Sequence, residues 1–165
     1  YRHWVQDLIK NDKDFKNIKV YFRKVPLYKG EQGSKKMAYA SIRYIKELNS
    51  IVDLFVSPND QMGVKKFFPK MVWKYGKKPL IGLNSACVMD KRGASAVIFP
   101  SHRSMGTQAA MMVMKIFKGV EIKSIIPEWP AIYGVAFDIK KSKKFKLRIP
   151  IKFIKLAGEN IINEK

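Results

Sequence analysis

Two rhythms of apolar residues alternate along the chain. The first is helical. Trp4, Val5, Leu8 and Ile9 share one face of a helix over residues 4–9, which Asn11-Asp12-Lys13-Asp14 closes. Met37, Ala38, Ser41, Ile42, Ile45 and Leu48 form the stripe of a second helix, opened by Gly33-Ser34 and closed by Asn49-Ser50. Residues 64–75 carry a third, with Val64, Phe67, Phe68, Met71, Val72 and Tyr75 inward and Gly76 as its stop. Pro69 lies inside it and predicts a kink or a late start, because proline lacks the amide donor. Residues 105–117 are the clearest helix, with Ser101 or Ser104 to cap it and Gly119 to end it. A closing helix is expected over residues 151–162, after Pro150.

The second rhythm is that of strands. Ile18, Val20 and Phe22 alternate with Lys19 and Tyr21, which predicts a strand over residues 18–25. Residues 52–56 are nearly all apolar, as expected of a strand covered on both faces, and residues 79–83 and 94–99 read as further buried strands. Residues 122–126 and 131–139 also read as strands, whereas 145–147 fit neither pattern. Helix and strand alternate with short turns between them. That order predicts an α/β fold, a three-layer sandwich with a mostly parallel sheet and helices on both faces. No internal repeat, coiled coil or linker interrupts it.

Composition narrows the functional classes. The 165 residues make about one domain, and 47% hydrophobic content supports a packed core. No apolar run reaches the length of a membrane-spanning helix. Tyr1 to Val5 read like the middle of a helix, and no initiator Met precedes them. A cut N-terminus is therefore expected, and the lack of a secretory signal then says little about location. Cys87 is the only cysteine, which excludes an internal disulfide and a cysteine-based zinc site. It reads as a small residue in a packed loop; as a nucleophile it would need His3 or His102 beside it.

The net charge is +20, and 27 of the 33 basic residues are lysine. Base-edge reading and forked phosphate contacts favour arginine, so no nucleic-acid partner is expected from this bias. Most lysines are scattered as on a solvated surface. Only Lys140-Lys141-Ser142-Lys143-Lys144-Phe145-Lys146 is dense, leaving a solvated face or a contact with a polyanion or anionic membrane both open.

In an open parallel sheet, ligands gather outside the carboxyl ends of the strands. Three short polar segments follow apolar strands here: Pro58-Asn59-Asp60-Gln61, Asn84-Ser85-Ala86 and Phe99-Pro100-Ser101-His102. Each is also standard turn and helix-cap composition. Catalytic alternatives find little support. No Gly-x-Ser-x-Gly elbow and no glycine-rich phosphate loop appears. Asp53, Asp60 and Asp90 suit a magnesium pocket, but the acidic pair such a pocket needs after the first strand is missing. No cofactor is expected.

These segments, in this order, resemble the C-terminal part of the ABC-transporter substrate-binding proteins of the tryptophan/tyrosine-type family. The family pattern is Asp, an apolar strand, then Pro-Thr-Asp-Asn. Here Asp53 is followed by Leu54-Phe55-Val56-Ser57 and Pro58-Asn59-Asp60-Gln61. Lys78-Pro79-Leu80-Ile81-Gly82, Arg92-Gly93-Ala94, then Gly106, Gln108-Ala109-Ala110 and Gly119 match the next elements, and Phe137-Asp138-Ile139-Lys140 with Ile149-Pro150 matches the tail. The resemblance covers most of residues 18–162. Asn59 stands for the family's Thr, Gln61 for Asn and Asp138 for Asn, and the Leu-Gly before Ile-Pro is replaced around Phe145-Lys146.

The resemblance implies a lobe of the type I periplasmic-binding-protein fold, with the N-terminal lobe and the first strand of the second lobe missing. Residues 1–100 would belong to the second lobe, 101–130 would be a crossover helix and strand of the first lobe, and 131–165 would return to the second. It implies a solute-binding component of an ABC transporter that closes on a small, amino-acid-like ligand and delivers it to a membrane permease, without enzymatic activity. A periplasmic or lipid-anchored cell-surface location would follow. Asp60 would pair with a ligand ammonium or cap the next helix. Asn59 and Gln61 would add hydrogen bonds, Asn84 and Ser85 would supply the neighbouring loop, and Ser101 would donate to a carboxylate. Phe99 would stack on an aromatic ligand or belong to the core, and His102 would be a partner or an exposed first-turn residue. The helix near residues 104–118 would expose Met105, Met112, Val113 and Ile116 unless a first lobe covers them. Two other classes remain: a ligand-sensing domain of a signalling or regulatory protein, and a lysine-rich polyanion-binding protein.

Overall fold

The computed structural model describes residues 2–57, 60, 62–88 and 93–163. Helix α1 (Arg2–Asn11) leads through a 3-10 turn and an extended segment to α2 (Gly33–Ala40) and α3 (Ile42–Leu48). Strand β1 (Phe55–Ser57), helix α4 (Phe67–Tyr75), strand β2 (Leu80–Gly82) and strand β3 (Ala96–Pro100) follow. Then come α5 (His102–Phe117), β4 (Tyr133–Asp138), α6 (Ile139–Lys144), α7 (Ile151–Ala157) and β5 (Ile161–Ile162).

The sheet has the order β1-β2-β3-β4-β5. Three pairings are parallel: Val56 lies opposite Ile81, Gly82 opposite Val97, and Phe137 opposite Ile161. The β3–β4 pairing is antiparallel, with Ala96 opposite Phe137 and Pro100 opposite Tyr133. The sheet is thus mostly parallel, as the alternation of helices and strands implied. Side chains of a strand point to opposite faces in turn. One face collects Phe55, Leu80, Val97 and Ala136, which pack with Ala38, Ile45, Leu48, Phe68 and Val72 of α2, α3 and α4. The other collects Ile81, Ala96, Val135 and Phe137 against Phe153 and Ala157 of α7.

Helix starts follow local chemistry. α4 begins late, at Phe67, so Pro69 falls in the first turn, where an amide has no helical partner to lose. The expected helix over 33–48 is divided at Ser41, whose hydroxyl donates to the Ala38 carbonyl at 2.6 Å. Ser101 caps α5, accepting from the Ser104 amide.

Four expectations need correction. Residues 18–25 form no strand. A strand needs a neighbour to satisfy its ladder, and none flanks this segment, so the alternation leaves Ile18 and Val20 exposed. Tyr21 against the core and an ion pair between Arg23 and Glu47 hold it instead. Residues 122–126 form a 3-10 turn at Ile122–Ser124 rather than a strand, again with no sheet edge beside them. The closing helix stops at Ala157, because Gly158 takes a left-handed φ of 52°. Ile161 and Ile162 then pair with β4. Finally, β1 is covered on one face only: Val56 is 51% exposed.

The dense lysine cluster is helix α6, which the sequence did not reveal, and two of its lysines are structural. Lys141 is buried and pairs with buried Asp138 at 2.9 Å. Asp138 also accepts from the Lys141 amide at 2.9 Å, capping α6. Lys144 lies 3.5 Å from the centre of the Trp73 ring and donates to the Trp73 carbonyl at 2.9 Å. Burial holds the Lys144 ammonium below its ordinary pKa.

Breaking a buried pair leaves an uncompensated charge. Asp138→Ala should therefore lower unfolding free energy in urea by about 3–5 kcal/mol. The paired change Asp138→Leu with Lys141→Met should lose less; equal losses would refute the coupling. At the surface, the hydrogen bond from Arg23 holds the Glu47 carboxyl below its ordinary value. Its contribution is present above the ordinary carboxylate pKa and is lost as pH falls through the depressed one. A carbon-13 NMR titration should show a lowered Glu47 midpoint that Arg23→Ala raises; an unchanged midpoint would refute the link.

Candidate functional site

Because β1, β2 and β3 run parallel, their carboxyl ends share one edge of the sheet. Asp60, Asn84 and Ser101 follow those three ends, so the fold brings them to a common rim. Asn59 and Gln61 lie outside the described residues, as does Pro58 between β1 and Asp60. Ser85 is half-buried in the 3-10 turn Ser85–Cys87 that follows β2.

Each described tip also performs local work. Asp60 is exposed, and its Oδ1 accepts from the Met62 amide at 3.0 Å and the Gly63 amide at 2.7 Å. Its Oδ2 has no hydrogen bond among the described residues. Asn84 Oδ1 accepts from the Ala86 amide at 2.8 Å, and Ser101 Oγ accepts from the Ser104 amide at 3.3 Å. Turn capping leaves part of each side chain's bonding capacity unused: a carboxylate oxygen on Asp60, an amide NH2 on Asn84, a hydroxyl proton on Ser101.

Beneath the rim lies an arrangement the sequence did not disclose. The Gly63 carbonyl accepts from Ser57 Oγ at 3.1 Å and from Cys87 Sγ at 3.2 Å, and all three residues are buried. One carbonyl thus ties the end of β1 to the turn after β2. Cys87 folds back over Gly82, where a Cβ would stand 2.7 Å from Cys87 Cβ and 2.8 Å from Val97 Cγ1. A small polar residue closing the apolar run at Ser57 was the one available sign.

β3 and β4 continue past the ends of β1 and β2. Phe99 is half-buried and packs against the larger core, its ring over Gly134, where a Cβ would come within 2.8 Å of ring atoms. His102 is an exposed residue at the start of α5. The sixteen residues of α5, His102 among them, include none that is buried. Met111, Val113, Met114, Ile116 and Phe117 are exposed, and so are Ile126 and Trp129 in the following loop. Met105 and Met112, by contrast, are half-buried. Among the described residues no group of His, Cys, Asp and Glu is placed to hold a metal ion. Asp138, where the resembling family has Asn, is occupied by its buried pair with Lys141 and lies at the far end of β4 from the rim.

No family model matches the chain, and no curated protein matches it. Solved structures do share its fold. A conserved domain protein from Vibrio cholerae matches 76% of this chain at 16% identity and a TM-score of 0.56. An ABC domain in complex with L-Trp from Streptococcus pneumonia matches 76% at 17% identity and 0.55. A substrate-binding protein with adhesive properties from Clostridium difficile, in a ligand-free open form, matches 78% at 19% identity and 0.56. The chain covers 42%, 43% and 41% of those three chains respectively, about two fifths of each. At these identities the likeness establishes the fold alone, a mixed α/β fold with a mostly parallel five-stranded sheet.

The close approach at Gly82 makes a sharp test of the rim. Gly82→Ala should push the Ser85–Cys87 turn off β2 and lower stability by about 1–3 kcal/mol. Proton NMR should show the largest shifts at Cys87 and Val97; an unchanged spectrum there and no loss of stability would refute the contact.

Proposed function

We propose that this chain is one lobe of a two-lobed solute-binding protein that closes on a small, amino-acid-like molecule. The observation that carries the proposal is α5: a sixteen-residue helix with no buried residue, on a chain covering about two fifths of its structural neighbours. Large contiguous apolar surfaces on soluble proteins mark interfaces. A second lobe lying on α5 and the loop after it would cover Phe117 and Trp129, which are 78% and 86% exposed. It would also place a second wall opposite the rim of Asp60, Asn84 and Ser101.

In this reading the ligand sits in the cleft and makes contacts with both walls. Contacts available only when the lobes meet favour the closed state, which is how a hinge responds to a ligand. Asp60 Oδ2 pairs with a ligand ammonium, Ser101 donates to its carboxylate, and Asn59, Gln61, Asn84 and Ser85 complete the polar contacts. The complex with L-Trp of one structural neighbour supports an amino-acid-like ligand. The role is binding rather than catalysis. Delivery to an ABC permease, from the periplasm or the cell surface, is the transport form of this proposal; signalling to a regulatory domain would use the same cleft.

The test is a thermal-shift screen of amino acids on the protein as expressed in its cell, including any sequence that precedes residue 1. A ligand at about a hundred times its Kd adds about 2.7 kcal/mol to native stability, so the melting temperature should rise by several degrees. Asp60→Asn should abolish that rise without lowering the unliganded melting temperature by a comparable amount. No response to any amino acid, or an equal response in the variant, would overturn the proposal.

A further inference from the structure

Two surface hollows lie on the outer side of α2 and α3. One, of about 560 Å³, is lined by Tyr28, Gln32, Lys35, Lys36, Tyr39 and Ala40. The other, of about 350 Å³, is lined by Pro26, Tyr28, Tyr39, Ala40 and Arg43. They share Tyr28, Tyr39 and Ala40, so they make one trough. Ala40 leaves its floor low, and the two tyrosines stand exposed beside it. The opposite face of α2, with Gly33, Ser34, Met37 and Ala38, is buried. The trough therefore faces outward.

Its chemistry is selective. Among the described residues, no acidic side chain lines it. Lys35 and Lys36 have no ion-pair partner among the described residues. Glu47, on the neighbouring helix, is engaged by Arg23. Arg43 donates to the Tyr44 hydroxyl at 2.6 Å and lies 4.5 Å over that ring, which fixes its guanidinium at the end of the trough. Lys35 and Tyr39, four residues apart, share a face of α2, and Arg43 follows at the start of α3, so cation, ring and cation succeed one another along the trough.

We propose that this trough binds single-stranded nucleic acid. Sequence-tolerant single-strand sites combine a cationic groove along the backbone with aromatic rings on which bases stack. Here Lys35, Lys36 and Arg43 track the phosphates, while Tyr28 and Tyr39 stack the bases. The scarcity of arginine argues against base-edge reading in a duplex, but lysine serves as a point charge for phosphate.

The test is fluorescence anisotropy of labelled oligo-dT of about 12 nucleotides, within the usual site size. Tyr28→Ala and Tyr39→Ala should each weaken binding about 5- to 100-fold. Tyr39→Phe keeps the ring and should bind as the parent does. Replacing Lys35 and Lys36 together by alanine should reduce the slope of log affinity against log salt by about 1.4. Lys152→Ala with Lys155→Ala, on exposed positions of α7, serves as the control for a chain of net charge +20 and should lose less than about twofold. The proposal falls if the alanine variants bind like the parent, or if Tyr39→Phe loses binding. It also falls if the α7 pair loses as much as the trough pair, or if phosphatidylserine vesicles show the same tyrosine dependence and oligo-dT does not. Circular dichroism should be unchanged throughout, because every substituted side chain is on the surface.

Discussion

Parallel pairing of β1, β2 and β3 is the constraint on which the rest depends. Parallel strands must be joined by crossovers, so every strand of the set delivers its carboxyl end to the same edge. That alone gathers Asp60, Asn84 and Ser101 at one rim. The pairing must also be close. Gly82 leaves room for Cys87 to fold back over β2 beside Val97, and the Gly63 carbonyl receives both Ser57 and Cys87. The loops after β1 and β2 are thereby fixed to each other, which suits the binding role proposed for the rim. Such preorganisation reduces what binding must spend on ordering the loops.

Two kinds of surface remain unsatisfied. One is apolar, at Met111, Val113, Met114, Ile116 and Phe117 of α5 and at Ile126 and Trp129 in the loop that follows. A helix usually owes its stability to packing of an amphipathic face, and α5 covers its own only in part, at half-buried positions such as Met105 and Met112. This is the physical basis for a two-lobed reading. The other is the positive charge. It is not uniform decoration: Lys141 is buried against Asp138, Lys144 rests on Trp73, and Arg23 engages Glu47. The lysines left without carboxylates in a concave aromatic trough are those at 35 and 36.

The rim was legible in the sequence only in outline. A polar segment after an apolar run identifies a strand end, and three such segments in an α/β alternation imply a shared edge. Their composition does not distinguish a cap from a contact. Asp60 shows why. One carboxylate oxygen satisfies two amides of its own turn, and the other carries no hydrogen bond among the described residues. Capping and ligand contact are therefore compatible in one residue. Ser57 and Cys87 escaped notice because a buried hydroxyl and thiol look like filler until their common acceptor is placed.

The sequence by itself determined the α/β class, the approximate positions of β2, β3, α4 and α5, and that Pro69 would either kink α4 or delay its start. These depend on residues close in the chain, through periodicity, caps and the geometry of proline and glycine. It did not determine the fate of residues 18–25 or 122–126, the antiparallel turn of β4, or the short β5. A strand exists only if another lies beside it to complete its hydrogen bonds, and pairing joins residues far apart in the chain. The same holds for Lys141, which reads as one of a solvated run and is buried because Asp138 and the Val88 carbonyl meet it in space. Local pattern sets what a segment can become; the neighbours that satisfy its backbone and its charges decide what it is.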